Sequence, residues 1–109
     1  MLATGARRAG DFAALYWLHR DDRSGPRAAF VVSRRVGGAV VRNRIRRRLS
    51  EIVRHRLDRL APSVDLVVVA RRRAAQGSFA EIEEDLCRQL RAAGILLVDG
   101  PTRGGEDRR

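Results

Sequence analysis

The sequence predicts an α+β fold, a two-layer α/β sandwich in which helices cover one face of a small mixed sheet and leave the other face open. Three observations predict it: two strand-like runs near the start, helical spacing after a pair of glycines, and a short apolar run between two helical segments. The 109 residues, 44% of them apolar, suffice for one core, so we expect a single domain over residues 1–98. Residues 99–109 carry almost no apolar side chains, and we expect a disordered tail there.

Two runs before the glycines have the composition of strands. Phe12 to His19 is rich in aromatic residues, and Ala28 to Val36 contains β-branched valines. Between them, Asp21 to Pro26 has the composition of a turn. We therefore expect the two strands to pair as an antiparallel hairpin, which ends at Gly37 and Gly38.

After the glycines, the apolar residues take up the spacing of one helical face. They are Val41, Ile45, Leu49, Ile52, Val53, Leu57 and Leu60. At about 100° per residue these side chains span about 160° of the helix, which we expect to begin at Ala39 and to end before Pro62. Because this stripe faces the core, the arginines on the opposite arc should point outward together. These arginines are Arg44, Arg47, Arg48 and Arg54.

The sequence of the second half of the domain predicts one strand and one helix. Asp65 to Ala70 is a short continuous apolar run, which favours a strand covered on both faces. Ser78 and Glu81 have the spacing of a capping box at the start of the last helix. That helix places apolar residues at helical spacing, and the acids in its first turns match its dipole. The apolar residues are Phe79, Ile82, Leu86 and Leu90.

Charge is the most informative feature of the composition. The chain has 23 basic residues, all arginine, against 13 acidic ones, so the net charge is +10. Ten of the arginines lie in residues 34–59, against only Glu51 and Asp58, which gives this segment a charge of +8. Such a concentration of one charge indicates an anionic partner, of which phosphate backbones are the commonest.

The composition also excludes several classes of protein. A single cysteine and two histidines cannot supply a disulfide framework or a structural metal site, and we read Cys87 as a small core residue. His19 and His55 are expected at the surface, and no carboxylates or histidines converge in the pattern of a protein-only nuclease. No apolar segment approaches the roughly 20 residues needed to cross a membrane. We expect a cytoplasmic protein.

The segment from Ser33 to Arg48 concentrates residue types that are suited to RNA binding. Arg42, Asn43 and Arg44 fall at a helix N-terminus, where free N–H groups and the helix dipole favour phosphate. The planar guanidinium binds phosphate through two parallel bonds, and the amide can read a ribose hydroxyl or a base edge. The competing interpretation is a solvated basic helix face.

This segment resembles the signature of the protein subunit of bacterial ribonuclease P. The family pattern is Ser followed by two basic residues, a glycine-containing turn, Ala-Val, Arg-Asn-Arg, one apolar residue and two basic ones. Every element is present from Ser33 to Arg47. The resemblance extends over roughly Leu2 to Leu90 and implies a fold like that of domain 2 of ribosomal protein S5.

The resemblance implies a function in tRNA processing. In the family, an RNA subunit holds the catalytic Mg²⁺ ions and removes the 5′ leader of precursor tRNA, while the protein binds the RNA subunit and the single-stranded leader. We therefore expect no catalytic residue, metal ligand or cofactor in this chain, and one protein per RNA. The RNA-binding candidates are Arg34, Arg35, Arg42, Asn43, Arg44, Arg46, Arg47 and Arg48. The candidates for the leader-binding cleft are Tyr16, Val31 and Arg35, with Phe12 and Trp17 as core or edge residues.

The sequence departs from the family at a few positions. Most members open with an additional helix before the glycine that Gly5 resembles, and this chain has Leu2 where an aromatic residue would stand. Either the start codon lies further upstream or the leader cleft is reduced. Ser50 and Gly38 each replace a polar or basic residue common in the family. An alternative function is that of a ribosomal or other basic RNA- or DNA-binding protein, which would not explain the sequence from Gly37 to Arg44.

Overall fold

A computed structural model of the chain describes residues 6–21 and 25–97. The predicted start at Met1–Gly5 and the predicted tail over 99–109 lie outside these ranges. The elements in chain order are β1 (Ala6–Ala9), β2 (Ala13–His19), β3 (Arg27–Val31), α1 (Ala39–Arg54), β4 (Val64–Ala70) and α2 (Phe79–Ala92). Short 3-10 helices at Leu57–Arg59 and Arg72–Ala75 follow α1 and β4. No helix within the described ranges is long and apolar enough to span a membrane.

The strands form one mixed sheet in the order β1-β2-β4-β3. The predicted hairpin is therefore wrong: β4 lies between β2 and β3, antiparallel to β2 and parallel to β3. The physical reason is burial. None of the residues of β4 is exposed, whereas Arg27, Ala28, Ala29 and Val31 of β3 are, so β4 takes the centre and β3 the edge. Turn composition between β2 and β3 specifies a reversal of the chain but not the neighbour of each strand.

β1 is an edge strand that no pattern in the sequence predicts. All four of its residues are exposed, so no alternation of apolar and polar side chains marks it. It is held by antiparallel backbone pairing with β2, from Ala6 opposite Trp17 to Ala9 opposite Ala14. Pairing of this kind depends on the neighbouring strand and leaves little trace in the sequence of the edge strand.

Two predicted boundaries are also corrected. β3 ends at Val31 instead of Val36, because residues 34–36 form a turn in which Val36 N–H donates to the Ser33 carbonyl. Helix α1 ends at Arg54, and a 3-10 turn over Leu57–Arg59 covers the rest of the predicted helix. The apolar spacing continues in the sequence at Leu57 and Leu60, which is why spacing alone does not reveal the break. Leu60 is buried as expected, but Leu57 is 39% exposed, so the expectation that it faces the core is wrong.

The helices cover one face of the sheet. In β4, Val64, Leu66, Val68 and Ala70 are buried, while Asp65, Val67 and Val69 are only half-buried. The expectation that this strand is covered on both faces is therefore wrong, and the expectation of an open sheet face is confirmed. The stripe of α1 packs into the core as predicted, through Ile45, Leu49, Ile52 and Val53.

The capping box at the start of α2 is confirmed. The Ser78 hydroxyl accepts from Glu81 N–H at 3.1 Å, and the Glu81 carboxylate accepts from Ser78 N–H at 2.9 Å. Ile82, Leu86 and Leu90 are fully buried, whereas the predicted Phe79 is 37% exposed because it lies at the first position of the helix. Cys87 is buried as expected, and burial raises the pKa of its thiol.

A buried polar network fastens the connection between β1 and β2 to α2. The Asp85 carboxylate, 3% exposed, accepts from Phe12 N–H and from Gln89 Nε2, both at 3.1 Å. The same Gln89 nitrogen donates to the Ala13 carbonyl at 3.1 Å. Gly10 lies so close that a Cβ atom there would stand 1.9 Å from Gln89 Nε2. The position of Asp85 is therefore not explained by the helix dipole alone, because its carboxylate also binds the backbone of the turn between β1 and β2.

Candidate nucleic-acid interface

Helix α1 presents its arginines on the side away from the core and along its flanks. Arg46, Arg47 and Arg54 are exposed, and Asn43 is exposed beside them. The Asn43 side-chain oxygen accepts from Arg46 at 3.0 Å, which orders one guanidinium at the start of the helix. Arg47 and Arg54 thus point outward as the helical spacing predicts.

Arg44 and Arg48 are half-buried instead of fully outward. Arg48 donates to the Gly77 carbonyl at 3.2 Å, and Arg44 Nε is buried without a hydrogen-bond partner in the described ranges. Both residues lie at the border of the apolar stripe, and Arg48 contacts the loop before α2 there. The prediction that all four arginines point outward together is therefore wrong for these two.

The N-terminus of α1 carries no negative charge. Its N-cap is Gly38, whose lack of a side chain leaves the first N–H groups without a side-chain acceptor, and the first turn holds no acidic residue. The Arg42 guanidinium donates to the Gly37 carbonyl at 3.0 Å and so stays beside this end of the helix. The positive end of the dipole and a guanidinium are thereby combined at one place.

The turn after β3 and the segment after β4 meet in a cleft of about 330 Å³. We call it the arginine cleft; its lining residues are Ser33, Arg35, Val36, Ala70, Arg71, Arg72 and Arg73. It lies at the carboxyl ends of the parallel strands β3 and β4. Arg35 is among the candidates predicted from the sequence, whereas Arg71 to Arg73 are not. Three consecutive arginines directly after a buried strand are the signal that could have identified them.

The cleft and helix α1 belong to one region. The segment Arg72–Ala75 packs against α1, and Arg48 bonds to the loop that follows it. We call this region the arginine surface, and it consists of Arg34, Arg35, Arg42, Arg44, Arg46, Arg47, Arg48, Arg71, Arg72 and Arg73. In the part of the chain that the structure describes, none of these arginines is paired with a carboxylate.

The carboxylates pair with arginines elsewhere. Asp65 pairs with Arg20 at 3.0 Å and with Arg27 at 2.9 Å, at the other end of β3 and β4. Two more ion pairs lie along α2, between Glu83 and Arg56 at 2.9 Å and between Asp85 and Arg88 at 3.1 Å. The arginine surface thus keeps its positive charge in the described residues, while several arginines outside it, such as Arg20, Arg27 and Arg56, are paired with carboxylates.

The open sheet face holds two of the three predicted cleft residues. Tyr16 lies opposite Val67 and Val31 opposite Val69, so these side chains share the face away from the helices. Tyr16 is 40% exposed, its hydroxyl accepts from Arg7 at 3.0 Å, and the Arg7 guanidinium lies 5.6 Å from its ring centroid. Arg35 lines the arginine cleft at the strand ends. Phe12 and Trp17 are partly buried against the core, as expected.

The histidines and acids form no compact cluster in the described residues. His19 and His55 are exposed, as predicted, and His55 lies 3.7 Å from the Glu51 carboxylate. Across residues 6–21 and 25–97, no group of three or more histidine, cysteine, aspartate or glutamate side chains is placed to hold a metal ion.

Fold and site together define a class: small α+β proteins with one face of a mixed sheet open and a strongly basic surface at its edge. Residues 1–94 match the family model of Ribonuclease P. The chain belongs to the ribonuclease P protein family.

Curated relatives of the chain are ribonuclease P protein components. The protein from Acidothermus cellulolyticus is 50% identical over 91 residues, which are 83% of this chain and 76% of that protein. The protein from Brucella suis is 47% identical over 79 residues, 72% of this chain but only 56% of that protein. The chain thus spans little more than half the length of this second relative.

Solved structures of ribonuclease P proteins share the fold. The Staphylococcus aureus protein superposes with a TM-score of 0.78 at 25% identity, and the match covers 84% of both chains. The Thermotoga maritima protein has a TM-score of 0.73 at 22% identity, covering 88% of this chain and 86% of that one.

Proposed function

We propose that this chain is the protein subunit of ribonuclease P and that its arginine surface binds the RNA subunit. In this role it assists the removal of the 5′ leader from precursor tRNA, as one protein per RNA in the cytoplasm. Membership of the ribonuclease P protein family supports the proposal that the chain is part of this enzyme complex. The arginine surface supports the mode of binding.

The observation that carries the proposal is the unpaired charge of the arginine surface. Its guanidinium groups come from the turn after β3, from α1 and from the segment after β4, and they have no carboxylate partner in the described ranges. Like charges held close together repel each other, and an anionic polymer placed against them relieves that repulsion and releases its own counterions. A solvated helix face would not require that arginines from three separate segments be gathered together.

Under this proposal, catalysis and the Mg²⁺ ions belong to the RNA subunit. The contribution of the protein is electrostatic, because guanidinium groups beside phosphates take over part of the screening that divalent ions otherwise supply. Arginine suits folded RNA because its planar group binds phosphate through two bonds and stacks on exposed bases.

We further propose that the open sheet face receives the single-stranded leader. Tyr16 offers its ring at 40% exposure, and Val31 lies on the same face. Stacking of a base on such a ring contributes about 1 to 3 kcal/mol. The Arg7 guanidinium lies beside the ring and adds a positive charge where the phosphates of the single-stranded RNA leader would lie.

Cleavage of precursor tRNA tests the proposal. The assay compares three samples at low Mg²⁺ concentration: the ribonuclease P RNA of the same genome alone, the protein alone, and both together. We expect the protein to raise the rate of leader removal by the RNA and to cleave nothing by itself. Cleavage by the protein alone, or an unchanged rate at low Mg²⁺, would refute the proposal.

A further inference from the structure

We infer that the arginine cleft, beside α1 on the arginine surface, holds a stretch of the phosphodiester backbone of the RNA subunit in addition to the contacts made by α1. This inference rests on the proposed function and deepens it: it gives a specific ligand-binding role to the cleft that Arg71, Arg72 and Arg73 line, residues which the family signature from Ser33 to Arg47 does not contain.

The lining of the cleft is suited to phosphate. Four of its seven lining residues are arginines, one is a serine with a hydroxyl donor, and none is acidic. Arg35 and Arg72 are exposed and make no hydrogen bond or ion pair in the described ranges. Two guanidinium groups are therefore available to a ligand, and the position at the carboxyl ends of parallel strands is where crevices of α/β sheets commonly bind ligands.

The other two arginines are held in place by the connection between β1 and β2. Arg71 donates to the Gly10 carbonyl at 2.9 Å, and its backbone N–H donates to the Phe12 carbonyl at 2.9 Å. The Arg73 guanidinium lies 5.7 Å from the centroid of the Phe12 ring, within cation-π range. Ordering these side chains before binding lowers the entropic cost of holding a phosphate.

The buried network of α2 supports this arrangement. Asp85 and Gln89 fix Phe12 N–H and the Ala13 carbonyl, and these atoms belong to the same turn that holds Arg71 and Arg73. The buried network and the cleft arginines thus contact the same turn of backbone, between β1 and β2. Asp85 is a positioning residue in this account, since its carboxylate touches no part of the cleft lining.

The occupant we assign is the RNA subunit and not the leader. Arg35 belongs to the turn that leads directly into α1, and the segment Arg72–Ala75 packs against that helix. A polymer bound along α1 therefore passes the cleft. Of the three candidates for leader contact, Tyr16 and Val31 lie on the sheet face and not in the cleft lining, whereas Arg35 lines the cleft.

The test measures binding of the protein to the ribonuclease P RNA over a range of salt concentrations, without precursor tRNA. The variant R35A/R72A removes the two cleft arginines whose side chains make no hydrogen bond or ion pair in the described ranges. R8A/R91A is the control, because it removes the same charge from exposed positions outside the cleft. We expect the slope of log affinity against log salt to flatten by about 1.4 to 1.8 for the cleft variant, about 0.7 to 0.9 per lost phosphate contact. The control should change it by much less, and R35K/R72K should restore most of the slope.

Three results would overturn the inference. If the salt slope flattens equally in R35A/R72A and R8A/R91A, the effect is one of overall charge. If the slope of R35A/R72A is unchanged, the cleft binds no phosphate of the RNA. A defect that appears only with leader-bearing precursor tRNA would assign the cleft to the leader. Failure of the proposed function is a separate outcome, since it would appear as failure of the unmodified protein to bind the ribonuclease P RNA. Melting temperatures of all variants check that they fold.

Discussion

The replacement D85A should destabilise the domain far more than an ordinary substitution on a helix. Asp85 is 3% exposed and accepts from Phe12 N–H and from Gln89 Nε2. Its removal leaves a main-chain N–H without an acceptor, at a cost of about 1 to 3 kcal/mol, and removes a second hydrogen bond worth about 1 kcal/mol. The ion pair with Arg88 adds little, because that side chain is 58% exposed.

Together these losses lower the free energy of unfolding by about 3 kcal/mol. For a domain of this size, that corresponds to a fall in melting temperature of roughly 12 to 24 °C. Urea unfolding and thermal melts of D85A measure the change, with E84A as the matched control, since Glu84 is an exposed acid at the adjacent position. The control should stay within about 0.5 kcal/mol of the parent. If D85A unfolds at the same urea concentration as E84A, the buried network does not stabilise the turn and the reasoning is refuted.

Three further predictions concern other parts of the molecule. R44A/R47A should weaken binding to the ribonuclease P RNA and flatten its salt dependence by up to about one unit of slope per lost contact, as measured by titration at several salt concentrations. G77A should lower the free energy of unfolding by about 1 to 3 kcal/mol in urea, because a Cβ atom there would stand 2.6 Å from an aromatic ring carbon. Burial raises the pKa of the Cys87 thiol above its ordinary value of 9.0, so the folded state keeps a proton that the unfolded chain releases. Its contribution to stability is therefore complete below pH 9 and declines as pH rises further, and unfolding at pH 8 and pH 10 should show a smaller decline for C87A than for the parent.

Each of these predictions has a result that contradicts it. An unchanged slope in R44A/R47A would show that neither side chain contacts a phosphate of the RNA. G38A is the control for G77A, since no atom lies within 4 Å of a Cβ at that position, and equal stability of the two variants would show that the ring moves aside freely. Rapid labelling of Cys87 by a thiol reagent at neutral pH would show that the thiol is not buried.

The fold explains why the arginine surface forms where it does. Parallel β3 and β4 end at the same edge of the sheet, and the chain passes from β3 through a turn into α1 before returning as β4. The residues that follow each strand therefore meet at one edge, beside the start of the helix. Arg35 and Arg72 approach each other for this reason, although 37 positions separate them in the sequence.

Features that depend on local spacing could be predicted from the sequence. The helical period of Ile45, Leu49 and Ile52 determined both the helix and the face it buries. The capping box of Ser78 and Glu81 determined where α2 begins. The concentration of arginine in residues 34–59 indicated an anionic partner, because charge density is a property of the sequence itself.

Features that depend on which segments become neighbours were decided only by the tertiary structure. The order of the strands followed from burial, which placed β4 at the centre and separated the two strands expected to form a hairpin. Arg71 and Arg73 line a cleft, and both contact the connection between β1 and β2, whose Phe12 N–H donates to Asp85. A sequence specifies periodicity, caps and charge through near neighbours, whereas the partner of a strand or a guanidinium depends on competition for burial over the whole chain.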